Sequence, residues 1–255
     1  MADLFVAEHD PGDSAPTVVL VHGSLDRSSA FARVQRHLAD LRVLRYDRRG
    51  YGRSTDLGPA ASFDQQVDDL ASVVGDRPAT VVGHSLGGVI GLALAARKPE
   101  LVQAVVAYES PMAWEPWWPA ATAGAAAMAT DGEAGEAAER FMRRMVGDER
   151  WGRLPERTRA ARRAEGPALV ADLRQIRDRT RPPYVAEELM VPVVAAHGTE
   201  SSPHHQRTAA ELADRAPHGE LVVVRGAGHG VHLTHPAALA DLARRALDRA
   251  QLPRG

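Results

Sequence analysis

The sequence predicts an α/β protein in which a mostly parallel sheet is wound on both faces by helices. Three observations carry that expectation: short β-branched runs recur along the chain, longer stretches of helical spacing separate them, and the runs end in turns, often glycine-containing. Strands buried on both faces read as continuous apolar runs, and parallel neighbours need a helical crossover between them. A chain of 255 residues with 44% hydrophobic content suits one large domain of this kind with room for an insertion.

The first run is Thr17–Val21, which stops at His22-Gly23. Residues 41–46 lead into Asp47 and a turn rich in Gly and Arg, residues 79–82 into Gly83, and Val102–Tyr108 into Glu109. Residues 191–196 and 221–224 complete six strands. Between them, Phe63–Val74 sets Phe63, Val67, Leu70, Val73 and Val74 close to helical spacing. Leu86–Arg97 is almost wholly apolar and stops before Pro99, as befits a helix buried against a sheet. Residues 237–252 form an amphipathic closing helix, with Pro236 near its first turn, where a missing N–H costs little.

Residues 112–188 break this rhythm. They hold no convincing strand and far exceed the roughly 2–6 residues of an ordinary connection. The expected division is a sheet core of residues 1–111 and 189–255, with residues 112–188 inserted as a helical cap. The insertion opens with Trp114-Glu115-Pro116-Trp117-Trp118-Pro119. So much aromatic surface needs burial or a ligand, which makes Trp114, Trp117 and Trp118 candidate substrate contacts at the cap entrance.

Composition narrows the partners. A net charge of -2 with no basic excess offers nucleic acid no electrostatic footing. The absence of cysteine excludes disulfides and thiolate catalysis. Met1-Ala2-Asp3-Leu4-Phe5 lacks the basic start and apolar run of a signal peptide, and no apolar run reaches the ~18 residues needed to cross a bilayer. A soluble cytoplasmic protein without a membrane partner is expected. Oligomeric state leaves no mark in the sequence.

The chemistry concentrates in the turns after the strands, where such sheets place their ligands. In Gly83-His84-Ser85-Leu86-Gly87-Gly88, a strand must turn sharply into a helix, so the neighbours of Ser85 can have almost no side chain. Ser85 is the candidate nucleophile. The Leu86 N–H faces the place where an oxyanion would form, and the helix dipole adds to that field. The second donor is the Ser24 N–H in His22-Gly23-Ser24-Leu25-Asp26, where Gly23 lets the backbone pass close to the nucleophile. His22 reads as a structural hydrogen-bonding residue. His229, directly after the last strand in Gly226-Ala227-Gly228-His229, is the candidate base, since imidazole accepts and returns a proton near neutrality. His232 and His235 lie close by, but no further ligands at metal-site spacing accompany them, so neither a metal nor a cofactor is expected.

Taken together, these pieces resemble the α/β-hydrolase superfamily in its esterase, cofactor-free haloperoxidase and C–C hydrolase branch. The matching segments are Val21-His22-Gly23-Ser24, the turn from Tyr46-Asp47 through Gly52-Arg53-Ser54, the motif around Ser85, and Gly226-Ala227-Gly228-His229 with Pro236. The resemblance implies a catalytic triad in the chain order Ser, acid, His and makes residues 47–54 a structural turn beside the site. The acid is where this chain departs. The family usually carries Gly-Asp-x-Asp after the penultimate strand, the second Asp being catalytic. Here His197-Gly198-Thr199-Glu200-Ser201 puts Thr199 and Ser201 in those two places. Glu200, one loop before His229, ranks first as the acid, and Glu109, at the end of the preceding sheet strand, ranks second.

The expected function is a serine hydrolase that cleaves a carboxylic ester or related acyl bond of a small, hydrophobic substrate through an acyl-enzyme on Ser85. Ser at position 85 argues against dehalogenase or epoxide hydrolase chemistry, which needs a carboxylate nucleophile. The same residues would serve a cofactor-free perhydrolase or C–C bond hydrolase. A ligand-binding protein of slow turnover is the reading outside that class.

Overall fold

The computed structural model describes residues 3–12, 14–129, 132–177 and 181–251. Its strands are β1 (Val6–His9), β2 (Thr17–Val21), β3 (Arg42–Tyr46), β4 (Ala79–His84), β5 (Val102–Tyr108), β6 (Val193–Gly198) and β7 (Gly219–Val224). They form one sheet in the order β1-β3-β2-β4-β5-β6-β7, parallel except for β1. The six expected strands are present. β1 is an addition, because its four residues have too little apolar character to announce a strand, and pairing with β3 (Val6 opposite Tyr46) creates it. β4 and β6 each run two residues beyond their apolar stretches, as His84 pairs with Tyr108 and Gly198 with Val224. That extension carries the sheet up to the residues of the site.

The helices are α1 (Ala32–Arg36), α2 (Phe63–Val74), α3 (Leu86–Arg97), α4 (Ala123–Ala127), α5 (Ala134–Val146), α6 (Asp148–Arg153), α7 (Glu156–Ala164), α8 (Gly166–Arg177), α9 (Pro203–Arg215), α10 (Val231–Thr234) and α11 (Pro236–Gln251). α2 starts where Ser62 accepts the Gln65 N–H at 3.1 Å, a side-chain cap for an otherwise orphaned donor. Residues 86–95 of α3 are all buried, which accounts for its lack of a polar face. α11 matches the expected closing helix; Leu252 lies outside the described residues.

The strand period of two splits the buried runs between two cores. Val19, Val21, Val81 and Val105 pack on one face with residues of α2, α3 and α9, whereas Val18, Leu20, Val82 and Val106 pack on the other with α1 and α11. α4 to α8 lie between β5 and β6, and the described part of residues 112–188 contains no strand. Small residues let these helices approach closely: a Cβ on Gly166 would meet the Ala134 carbonyl oxygen at 2.1 Å.

Two buried carboxylates join residues 165–172 to the loops after β2 and β3 and to α2. Asp172 of α8 accepts from Arg48 Nη2 (2.6 Å), the Tyr51 hydroxyl (2.6 Å), the Ser24 hydroxyl (2.8 Å) and Gln66 Nε2 (3.1 Å). Glu165 accepts from Arg27 Nη2 (2.8 Å) and the Gly52 N–H (2.9 Å). Removing one partner of such a buried pair typically costs about 3–5 kcal/mol. Among the described residues, no helix is long and apolar enough to cross a membrane.

Candidate active site

The turn from β4 into α3 holds Ser85 at φ 53° and ψ -125°, a region that non-glycine residues rarely occupy. Its surroundings over-determine that strain. The Ser85 N–H donates to the Tyr108 carbonyl at 2.8 Å. A Cβ on Gly83 would come within 2.3 Å of the Gly88 Cα, and one on Gly87 within 2.2 Å of the Val21 carbonyl oxygen, so the glycines of the motif are there for close approach. Leu86 is the first residue of α3, so its N–H has no carbonyl within the helix to bond. The loop after β2 passes close by: a Cβ on Gly23 would lie 3.0 Å from the Ser85 Cβ.

Glu109 follows β5 in a second strained turn, at φ 46°, where its N–H donates to the Ala196 carbonyl at 2.9 Å. Its side chain is fully buried, and Oε2 accepts from His229 Nδ1 at 2.6 Å. Oε1 accepts from the Ser201 hydroxyl, which itself accepts the Gly198 N–H at 2.7 Å. The ranking of the two acids is therefore corrected. Glu200 is exposed, with its backbone N–H on the Ala227 carbonyl at 2.9 Å. The carboxylate on the histidine is that of Glu109.

The tight turn after β6 explains the reversal, because it aims Ser201 inward and leaves Glu200 in solvent. Ser201 stands where Gly-Asp-x-Asp would put its second Asp, and its hydroxyl donates to the Glu109 carboxylate, which arrives from the neighbouring strand. α9 begins directly after this turn, with Ser202 at its cap position and Pro203 in its first turn. Burial alone would push the Glu109 carboxyl up. The bond and charge of His229, followed by the Ser201 hydroxyl, overcome this and hold it below the usual range.

Neighbouring contacts fix the histidine loop. His84 Nε2 donates to the His229 carbonyl at 2.7 Å, and the Tyr108 hydroxyl donates to the Gly228 carbonyl at 3.0 Å. Burial, then the charges of His232 and His229, push His84 well below the ordinary imidazole value. His232 Nε2 lies 3.0 Å from Asp26 Oδ2 in the loop that carries Ser24.

His22 is structural, as the sequence suggests. It is fully buried, its Nε2 accepts the Arg48 N–H at 2.9 Å, and its Nδ1–H donates to the Gly23 carbonyl at 2.7 Å. Burial, then the charge of Arg48, lowers its pKa to about 4 from 6.5. The unfolded chain therefore takes up this proton first, so His22 subtracts nothing above about pH 6.5 and costs stability as pH falls towards 4. The expected loss from this residue between pH 8 and pH 5 is about 2 kcal/mol, read from urea unfolding. His22→Asn should flatten the slope; an equal slope in the variant would exclude His22 as its source.

Ser85, Leu86, Ser24, Glu109 and His229 all border one cavity of about 670 Å³, together with Phe141 of α5 and Leu173 and Ile176 of α8. Trp118 joins its wall, edge-on to His204 with ring centroids 4.9 Å apart. The other two tryptophans do not, which corrects their expected role. Trp114 packs edge-on against Tyr184 at 5.6 Å, and the Arg207 guanidinium lies over Trp117 at 4.1 Å, both rings resting on the sheet core. The Trp118 N–H closes a turn on the Glu115 carbonyl at 3.0 Å, and the Trp118 ring stays tilted against that of Trp117, with centroids 6.2 Å apart.

Four residues around the site carry no sequence signal of their own. Ser201 and His84 sit inside the motifs of other residues. Asp172 and His205 sit on helices, where a polar residue is by default solvated, and nothing local marks the one as buried or the other as turned towards Glu109.

Known proteins share this arrangement of sheet and turn. The model of the alpha/beta hydrolase family matches residues 18–242. Over 107 residues the chain is 36% identical to the lipase LipV of Mycobacterium tuberculosis, covering 41% of this chain and 40% of that protein. Over 91 residues it is 38% identical to the bifunctional esterase/perhydrolase DCH of Acinetobacter calcoaceticus, covering 34% and 33%. Each match thus spans less than half the length of the curated relative. An alpha/beta hydrolase from Sphaerobacter thermophilus superposes with a TM-score of 0.72 at 26% identity, over 94% of this chain and 95% of that one. With a match that runs from β2 into α11 and a sheet whose fourth strand turns at Ser85, the chain belongs to the alpha/beta hydrolase family.

Proposed function

We propose that the protein is a serine hydrolase that cleaves a carboxylic ester or related acyl bond of a small hydrophobic substrate. Ser85 Oγ attacks the carbonyl carbon, and its proton passes to His229. Glu109 orients that ring through Nδ1 and stabilises the imidazolium. The N–H groups of Leu86 and Ser24 receive the oxyanion, each such donor being worth about 10²–10³ in kcat. The imidazolium protonates the leaving alcohol, and water then releases the acyl group from Ser85 by the same path in reverse.

The observation that carries this reading is the buried Glu109 carboxylate on His229 Nδ1 at 2.6 Å, beside the strained turn that turns Ser85 into the same cavity. Its test is reaction with a fluorophosphonate probe, which should leave one adduct, on Ser85. An intact protein that gives no adduct, or gives it elsewhere, overturns the assignment and favours a ligand-binding role. The match to DCH raises perhydrolysis, in which hydrogen peroxide replaces water on the same acyl-enzyme; peracid formation would show it.

Trp118 should shape substrate preference. Trp118→Ala is expected to lower kcat/KM for a long-chain ester about tenfold more than for an acetyl ester, because contacts remote from the reacting carbon matter only to the larger substrate. Trp114→Ala and Trp117→Ala should affect both esters alike. Equal losses for the two esters in Trp118→Ala would show that this ring, too, only supports the fold.

A further inference from the structure

Glu109 and His229 share their corner of the cavity with a third donor that ester hydrolysis leaves unused. His205 stands on the first turn of α9, with Nε2 3.8 Å from Glu109 Oε2, the oxygen that meets His229 Nδ1. Its ring stacks on that of His229, with centroids 5.1 Å apart and planes inclined by 23°. No hydrogen bond holds it among the described residues: Nδ1 is buried without a partner, and Nε2 faces Glu109 from beyond hydrogen-bonding distance. The three ligand atoms lie within 4.8 Å of one another, and all three residues border the cavity, so an ion dissolved there can reach them.

We propose that Glu109, His205 and His229 form an inhibitory binding site for a divalent transition-metal ion of the zinc type. Two imidazoles and a carboxylate suit such an ion better than they suit magnesium or calcium. Tetrahedral zinc, with bonds of about 2.0–2.2 Å to these atoms, sets neighbouring donors roughly 3.3 Å apart. The 3.8 Å gap between His205 and Glu109 is near that value, and the 2.6 Å contact of Glu109 with His229 needs to open by less than about 1 Å. Cavity water supplies the fourth ligand.

On binding, the Nδ1–H of neutral His229 gives way to a nitrogen–metal bond and Nε2 takes up a proton from solvent, so the ring stays neutral in its other tautomer, Nε2 can no longer accept a proton, and no oxidation state changes. The dication then sits where the Glu109 carboxylate would stabilise an imidazolium, so His229 can no longer take the Ser85 proton. Such an ion is an inhibitor and not a cofactor. The sequence shows no metal set here because its donors come from three separate segments. The inhibitory part of the proposal rests on the serine-hydrolase reading, whereas the binding part does not.

Zinc titration by calorimetry and fluorophosphonate labelling of Ser85 in the presence of zinc test it together. Wild-type protein should bind one ion at this site and lose labelling, with EDTA restoring it. His205→Gln should weaken zinc binding at least tenfold and raise the zinc concentration that half-blocks labelling by the same factor. A second cluster, Asp26, His84 and His232, also brings its donors within 4.8 Å of one another, so Asp26→Asn is the control and should change neither reading. No zinc binding by the wild type, or binding that follows Asp26→Asn and ignores His205→Gln, overturns the site. Binding weakened by His205→Gln in a protein that never labels would uphold the site and reject the hydrolase reading.

Discussion

Ser85→Ala is expected to lower kcat on an activated ester by more than about 10⁴-fold while leaving the thermal midpoint almost unchanged. Alanine keeps the Cβ and loses only the hydroxyl, so the turn at φ 53° and the backbone bond to Tyr108 at 2.8 Å survive. Ester turnover monitored with a chromogenic leaving group, alongside a melting curve, separates lost chemistry from lost fold. Retention of more than about a tenth of the wild-type kcat would remove Ser85 from the mechanism, because a missing nucleophile costs orders of magnitude.

Glu109→Gln should be nearly as damaging, lowering kcat by about 10³–10⁴-fold, whereas Glu200→Gln should stay within about twofold of wild type. The amide keeps the size of the carboxylate but cannot balance the charge of an imidazolium, and its NH2 group facing Nδ1 would impose the wrong ring tautomer. The Ser201 hydroxyl, which now donates to the carboxylate, would lose an ionised acceptor as well. Glu200 has no comparable position, since it stands in solvent on a turn that sends Ser201 inward. Both amide variants should be assayed on the same ester. A crippled Glu200→Gln beside a normal Glu109→Gln would mean that the loop after β6 rearranges in the working enzyme.

These two predictions differ in where their evidence arises. The sharp turn at Ser85 is written in six consecutive residues, because a strand that must turn at once into a helix needs glycine at defined places, and a local steric demand leaves a local signature. The continuous apolar run of β2 and the end of α3 before Pro99 are legible from neighbouring residues as well. The short edge strand β1 is not, because pairing with β3 holds it together while its own four residues show little preference.

Identity of the acid depends on which strands lie side by side. The order β4-β5-β6-β7 puts the end of β5 between the Ser85 turn and the loops of Ser201 and His229, so a carboxylate far from both in sequence meets the histidine. A chain-order rule favours Glu200 and cannot register that the turn after β6 points it outward. The same holds for the tryptophans, which cluster in sequence, yet only Trp118 faces the cavity. By itself the sequence determined the sheet, the turn at Ser85 and the candidate histidine, because each follows from periodicity or from steric demands among neighbouring residues. The tertiary structure alone decided which carboxylate meets His229, which tryptophan meets the cavity and which buried carboxylates tie residues 165–172 to the loops after β2 and β3, because those contacts join residues that only the strand order and the helix packing bring together.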